Sequence, residues 1–224
     1  MVADINQIFV KKKYIFKTIF FLVCLVPFFL GVKTIPPLDR DESRYMQSSY
    51  QMVESNDYVN IKFLDEIRAK KPIGIYWLQS ISIKLFDKND VASYRYVSIV
   101  GAFITILMIW FFSKNLYGYQ ESFFIVCFSI LNLLFLFESH IAKTDSFLLG
   151  LICIQQFYLY KIILNKKNID IESNLFPILM WISISAGVLI KGPISIVIFI
   201  LTIISFLTLT RDFSILKKIK PFLG

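Results

Sequence analysis

The chain has 224 residues, 56% of them hydrophobic and 17% aromatic, with 23 Phe and 11 Tyr, a formal charge of +8 and a mean hydropathy of +0.64. A composition this apolar excludes an ordinary soluble globular domain and suits lipid-facing and interfacial surfaces. The positive charge does not point to nucleic acid, because the lysines fall in short clusters between apolar runs and no aromatic-interleaved basic face or nucleic-acid motif is present.

The first apolar stretch covers residues 14–32 and follows Lys11, Lys12 and Lys13. A basic start followed by an apolar run also describes a signal peptide. However, Val32-Lys33-Thr34-Ile35-Pro36 holds no small-x-small cleavage site, so the segment is read as an anchored span. Pro36-Pro37 stops it, and the acidic run Asp39-Arg40-Asp41-Glu42 comes directly after. From Asp41 to Glu54 the apolar residues Tyr45, Met46, Tyr50, Met52 and Val53 recur at roughly helical spacing, with Asp41 and Glu42 in the first turn and Asp39 placed to cap it. From Pro72 to Phe86, Ile73, Trp77, Ile81 and Leu85 recur every fourth residue, and Pro72 suits the first helical position. At about 15 residues this stretch is short for a span and fits a helix lying at the membrane surface.

Further apolar stretches at residues 94–112, 123–137, 147–164, 175–190 and 194–209 bring the expected spans to about six. Several fall short of the usual ~20 residues, so their polar flanks must snorkel or the helices must extend further. With the N-terminus inside, alternation places Lys11–Lys13 and Lys17, Lys114, Lys161, Lys166 and Lys167, and Arg211, Lys217, Lys218 and Lys220 all on the cytoplasmic side, as the positive-inside rule requires. The loop at residues 33–93 carries cations and carboxylates in similar number, and loops of that length translocate largely regardless of charge. Cys24, Cys127 and Cys153 all fall in apolar stretches without a C-x-x-C pair, which reads as small hydrophobes inside helices. The expected fold is thus an all-α integral membrane protein with a single membrane domain (1–224). Its large first extracytoplasmic loop, about 33–93, carries interfacial helices.

Alternation also gathers Asp41, Glu42, Lys71, Asp145 and Lys191 on the outer face. Carboxylates and cations at a lipid–water boundary are costly to keep there and suit a reaction on a phosphate-bearing lipid. Each has a plainer reading on local sequence. Asp41 and Glu42 can simply open an interfacial helix, Lys71 can snorkel to headgroups, and Arg95 can anchor its span at the interface. Asp145 can cap the fourth span, while Lys191-Gly192-Pro193 can be a tight hairpin turn with Pro193 opening the sixth.

Several motifs in order favour the chemical reading. Leu38-Asp39-Arg40-Asp41-Glu42-Ser43-Arg44-Tyr45 resembles the Asp-Glu-x-Arg-Tyr motif of GT-C membrane glycosyltransferases, the group of the lipid A aminoarabinose transferases and protein O-mannosyltransferases. Lys70-Lys71-Pro72-Ile73-Gly74-Ile75-Tyr76-Trp77 resembles that group's Lys-Pro-Pro-x-x-Tyr-Trp stretch, with Ile73 where the second proline stands. Tyr94-Arg95-Tyr96-Val97-Ser98 resembles its Arg-x-x-Ser entry to the second span, Lys143-Thr144-Asp145 its Asp-bearing outer loop, and Lys191-Gly192-Pro193 its Lys-Gly-Pro turn.

The resemblance implies an enzyme of the bacterial inner membrane that takes a sugar from a polyprenyl-phosphate donor at the extracytoplasmic face. The acceptor would be lipid A, another envelope glycan or protein. Asp41, with Glu42 and Asp145 beside it, would serve the acceptor and sugar; Lys71, with Arg44, Arg95 and Lys191, would hold the donor phosphate. No cofactor is expected. Asp39-x-Asp41 has the form of a D-x-D metal motif and His140 lies near Glu138 and Asp145, yet three-residue patterns recur by chance and a lone His seldom builds a metal site. The group's members have around a dozen spans, so this chain corresponds to their N-terminal half. A catalytically inactive remnant and a small transporter or lipid-binding membrane protein are the competing readings. No charge sits at mid-span, as a transporter would require.

Overall fold

Backbone polar groups in an apolar setting must be satisfied within the segment, and helices achieve this residue by residue. The computed structural model, which describes residues 19–68, 70–164 and 172–221, is accordingly a helical assembly with one small hairpin. The first helix, α1 (Ile19–Phe28), tightens into a 3-10 turn around Pro27 and gives way to Gly31, whose φ of +79° turns the chain. Residues 14–18 of the expected first span lie outside the described residues.

Helix α2 (Arg40–Ser55) starts where the charges predict. Asp39 is extended and accepts a hydrogen bond from the Asp41 amide at 3.1 Å, Asp41 and Glu42 occupy the first turn, and Asn56 ends the helix at φ +52°. A two-residue hairpin follows, β1 (Lys62–Phe63) with β2 (Glu66–Ile67), antiparallel with Phe63 opposite Glu66. Strands this short carry no periodicity, so the sequence pattern did not announce them. Helix α3 (Gly74–Leu85) is capped by Ile73, which leaves Pro72 before the helix rather than in its first turn. Trp77, Ile81 and Leu85 are exposed, whereas Gln79, Ser80 and Ser82 are buried. This polarity is the reverse of a soluble helix and suits a helix with lipid on its open side.

Helix α4 (Val91–Tyr117) begins at Asp90, whose side chain accepts from the Ala92 amide at 2.9 Å. Its 27 residues are longer than the expected 94–112, and at ~1.5 Å per residue they exceed the ~30 Å hydrocarbon core. The stretch expected as one span at 123–137 is instead two helices, α5 (Tyr119–Ile130) and α6 (Leu133–Ser139), bent by 64°. The cause is Asn132, which leaves the helix and caps the next one by accepting from the Phe135 amide at 3.0 Å. Helices α7 (Asp145–Leu164), α8 (Glu172–Lys191) and α9 (Ile194–Thr210) and a single turn, α10 (Ile215–Lys218), complete the described chain. Among the described residues α4, α7 and α8 are long and apolar enough to cross a membrane, and the bent α5–α6 pair makes a fourth if it is one span; α1 and α9 are shorter apolar helices.

Small residues set the contact between α4 and α7. A Cβ added to Gly101 would lie 2.4 Å from the Cα of Phe147, and one on Gly150 would lie 2.8 Å from the Gly101 carbonyl oxygen. Close backbone approach of this kind is the usual basis of helix association in lipid, where burial supplies little driving force between helices. One end of the assembly is basic: Lys161 Nζ donates to Asn115 Oδ1 at 3.0 Å, Lys220 reaches Asn174, and Trp181 donates to the Ile219 carbonyl at 2.8 Å, which folds the last described segment back onto α8. The acidic run lies at the opposite end. We expect Gly101→Val to lower the thermal midpoint in detergent through a strain of at least ~1–3 kcal/mol. Helicity followed against temperature measures this, and an unchanged midpoint would contradict the α4–α7 contact.

Candidate active site

The first turn of α2 places Asp41 and Glu42 back to back, and the two carboxylates have opposite surroundings. Glu42 is fully buried (0% exposed) against Arg95, also 0% exposed. Arg95 Nε donates to Glu42 Oε1 at 2.9 Å, and the same oxygen accepts from the Ala142 amide at 3.0 Å. Glu42 Oε2 accepts from the Leu38 amide at 2.9 Å. The remaining face of the guanidinium donates to the carbonyls of Val32 (2.9 Å), Ile35 (2.7 Å) and Pro36 (3.1 Å). These carbonyls follow α1 in a turn that ends in two prolines, and Arg95 supplies the donors they lack. The pair therefore joins the end of α1, the start of α2, the first turns of α4 and the 140–144 loop. Every carboxylate oxygen of Glu42 and most of the Arg95 donors are committed to this framework, so in this structure the pair positions its surroundings rather than faces a substrate.

Asp41 points the other way. Its side chain is 46% exposed and, among the described residues, its only ion pair is with Arg44 at 3.5 Å on the next turn. An exposed pair of this geometry contributes little and opens easily, which leaves the Asp41 carboxylate available. Behind it stand Tyr45 and Tyr76, with ring centroids 5.4 Å apart, and both hydroxyls feel the Asp41 charge. Burial pushes the Tyr45 phenol up to about 12, with Tyr76 and Asp41 adding to it against a hydrogen bond with Thr144 and the charge of Arg68. Tyr76 is raised by burial as well. Both phenols stay protonated around neutral pH.

Arg68 is a member of this group that sequence reasoning passed over. It is 8% exposed, its Nε donates to the Tyr76 hydroxyl at 3.3 Å, and its guanidinium lies 6.0 Å from the Tyr45 ring and 5.9 Å from the Phe63 ring. Only its place three residues before Lys71 could have drawn attention to it. Lys71 is half-buried and, among the described residues, has no carboxylate within ion-pair distance. The segment after it packs on the end of α8: a Cβ on Gly74 would lie 2.6 Å from the Leu189 carbonyl oxygen, and one on Gly192 would touch Pro72 at 3.9 Å.

At that same corner Lys191 is paired with Asp145, and Lys143 with Asp39. Lys143 loses stability as a cation through partial burial but gains more from Asp39, so its pKa is raised, while its hydrogen bond holds the Asp39 carboxyl below the usual range. The structure thus brings Asp41, Glu42, Arg44, Lys71, Arg95, Asp145 and Lys191 to one end of the assembly. It neutralises Lys191 with Asp145 and Arg95 with Glu42. Asp41 stays accessible, and Lys71 has no carboxylate within 4 Å among the described residues. No three His, Cys, Asp or Glu side chains among the described residues are grouped to hold a metal ion, and both ring nitrogens of His140 lie against backbone carbonyls, Leu136 at 2.7 Å and Leu30 at 3.1 Å.

Comparison with known proteins places the fold and the family. ArnT from Cupriavidus metallidurans, solved in the apo state and bound to undecaprenyl phosphate, superposes with TM-scores of 0.80 and 0.81 at 19% and 20% identity, over 94% and 92% of this chain and 38% of that one. In sequence, the undecaprenyl phosphate-alpha-4-amino-4-deoxy-L-arabinose arabinosyl transferase of Aeromonas hydrophila is 31% identical over 118 residues, 50% of this chain and 21% of its own length. The protein of the same description from Wigglesworthia glossinidia brevipalpis is 29% identical over 201 residues, 85% of this chain and 34% of its own length. This chain therefore spans 21% to 38% of the length of these relatives. The fold is that of a GT-C membrane glycosyltransferase. Residues 70–224 match the profile of the dolichyl-phosphate-mannose-protein mannosyltransferase family, and the chain belongs to that family.

Replacing Arg95 with Met should cost ~3–5 kcal/mol, because the Glu42 carboxylate would remain buried without its charge partner. The double variant Glu42→Gln/Arg95→Met should lose less than the sum of the two single changes. Thermal unfolding of the four proteins in detergent measures the coupling, and strict additivity would contradict the framework role of the pair.

Proposed function

We propose that this chain carries the reaction centre of a polyprenyl-phosphate-sugar-dependent glycosyltransferase, working at the extracytoplasmic face of the bacterial inner membrane with the N-terminus in the cytoplasm. The observation that carries this reading is the contrast at the acidic end: Asp41 half-exposed, and Lys71 without a carboxylate partner on the adjoining segment. Family membership and the likeness to a protein solved with undecaprenyl phosphate support it.

In this mechanism an acceptor hydroxyl on lipid A, an envelope glycan or protein approaches the Asp41 carboxylate, which orients it and takes its proton. The acceptor oxygen bonds to the anomeric carbon with inversion as the bond from that carbon to the phosphate oxygen breaks. The electron pair leaves on the phosphate, whose charge Lys71 stabilises with Arg44 close by. A phosphate is already a stable anion, so no general acid has to protonate it, and one carboxylate is enough. Asp145 then contacts the sugar or acceptor, held in place by Lys191. For the same reason no divalent cation is required, and transfer should survive EDTA. Membrane lipids complete the surroundings of the donor.

Membranes containing the chain, supplied with a labelled undecaprenyl-phosphate-linked sugar, provide the test. Asp41→Asn should lower transfer by at least about 100-fold, the usual effect of losing a positioned base. Lys71→Ala should raise the donor concentration needed for half-maximal rate. Transfer by Asp41→Asn at the wild-type rate would remove Asp41 from the mechanism, and the proposal with it.

A further inference from the structure

The hairpin between α2 and α3 is fixed at both its tip and its base. Its tip, Leu64 at φ +56°, is held from both sides by Gln51, whose Nε2 donates to the Leu64 carbonyl at 3.0 Å and whose Oε1 accepts from the Leu64 amide at 2.8 Å. Its base closes where the Arg68 amide donates to the Ile61 carbonyl at 2.7 Å. What leaves that clamp is the Arg68 side chain, lodged between Tyr45 and Phe63 and fixed at Nε by the Tyr76 hydroxyl.

An arginine that is 8% exposed normally has a carboxylate beside it. Here none of the described carboxylates lies within 4 Å: Asp41, which faces the same two tyrosines, is bridged to Arg44, and Asp57 to Lys62. The terminal nitrogens of Arg68 have no acceptor among the described residues, although the side chain is held in one orientation by three rings on three elements. Lys71, three residues further on, is likewise without a carboxylate. Two cations on one short segment therefore both lack a carboxylate within 4 Å among the described residues.

Resting on the donor reading above, we propose that Arg68 is a second phosphate contact of the donor site. Its two terminal nitrogens would donate to two non-bridging phosphate oxygens while Lys71 acts as a point charge on the same group. The aromatic walls fix the fork before the lipid arrives, so little side-chain freedom is lost on binding.

Binding of undecaprenyl phosphate and of undecaprenol to the purified chain in nanodiscs tests this directly, since the two ligands differ only in the phosphate. The wild type should prefer the phosphate. Arg68→Gln should weaken undecaprenyl phosphate by about tenfold or more, the scale of a charged hydrogen bond, and leave undecaprenol unchanged. Arg68→Lys keeps a charge without the fork and should fall between; it carries the test if the Gln variant is misfolded by circular dichroism. Wild-type affinity in both variants, with loss in Lys71→Gln, would overturn the role of Arg68 and leave the donor reading standing. A wild type with no preference for the phosphate would overturn both.

Discussion

The buried pair between Glu42 and Arg95 is the constraint on which the rest of the structure depends. Fifty-three positions separate the two residues, and every polar atom of the carboxylate and most of the guanidinium is engaged. Two full charges without water are tolerated only because the backbone around them is arranged to satisfy them: three carbonyls after α1, the Leu38 amide before α2 and the Ala142 amide before α7. Moving any of these segments leaves an orphaned charge, so the pair holds them in register. Asp41, adjacent to Glu42 on the same turn, is thereby pointed outward with a precision its own exposed contacts would not provide.

Polarity is sorted along the assembly in a way that follows from the medium. Apolar side chains are turned outward along α3, α9 and the ends of α5 and α6, while serines and glutamines are turned inward. Gln79 accepts from Ser49 at 2.7 Å and donates to the Ala142 carbonyl at 3.1 Å; Gln155 accepts from Ser195 at 3.0 Å. Where the surroundings are hydrocarbon, such contacts and close glycine approaches supply the cohesion that burial supplies in water. The chain satisfies both requirements with short polar residues and with Gly101 and Gly150.

Much of the helical fold is legible in the sequence, for definite reasons. The start of α2 is written in Asp39, Asp41 and Glu42, because capping and dipole effects are local. The exposed stripe of α3 is written in the spacing of Trp77, Ile81 and Leu85. The break between α5 and α6 has a local signal too, since Asn132 interrupts an apolar run with a capping side chain. The pairing of Glu42 with Arg95 has none: both belong to recognisable motifs, yet a contact across fifty-three positions arises only from packing. The motif resemblance singled out residues that lie at one end of the assembly but could not divide them into an accessible aspartate and a framework glutamate. Arg68 was hidden for a related reason, since the short strands that aim it have no period to read.

On the donor reading proposed above, the exposed faces of Trp77, Ile81, Leu85 and Phe86 have a consequence for how a lipid-linked donor would be met. Were those side chains to lie among acyl chains, α3 would fix the depth of the segment just before it and keep Lys71 near the level of lipid headgroups. A carrier with a long prenyl tail then need not be extracted to be recognised. It can arrive sideways, by diffusion within the leaflet, with its tail in hydrocarbon throughout. The encounter becomes a search over a surface instead of through a volume, and its frequency is set by the carrier's density in the membrane.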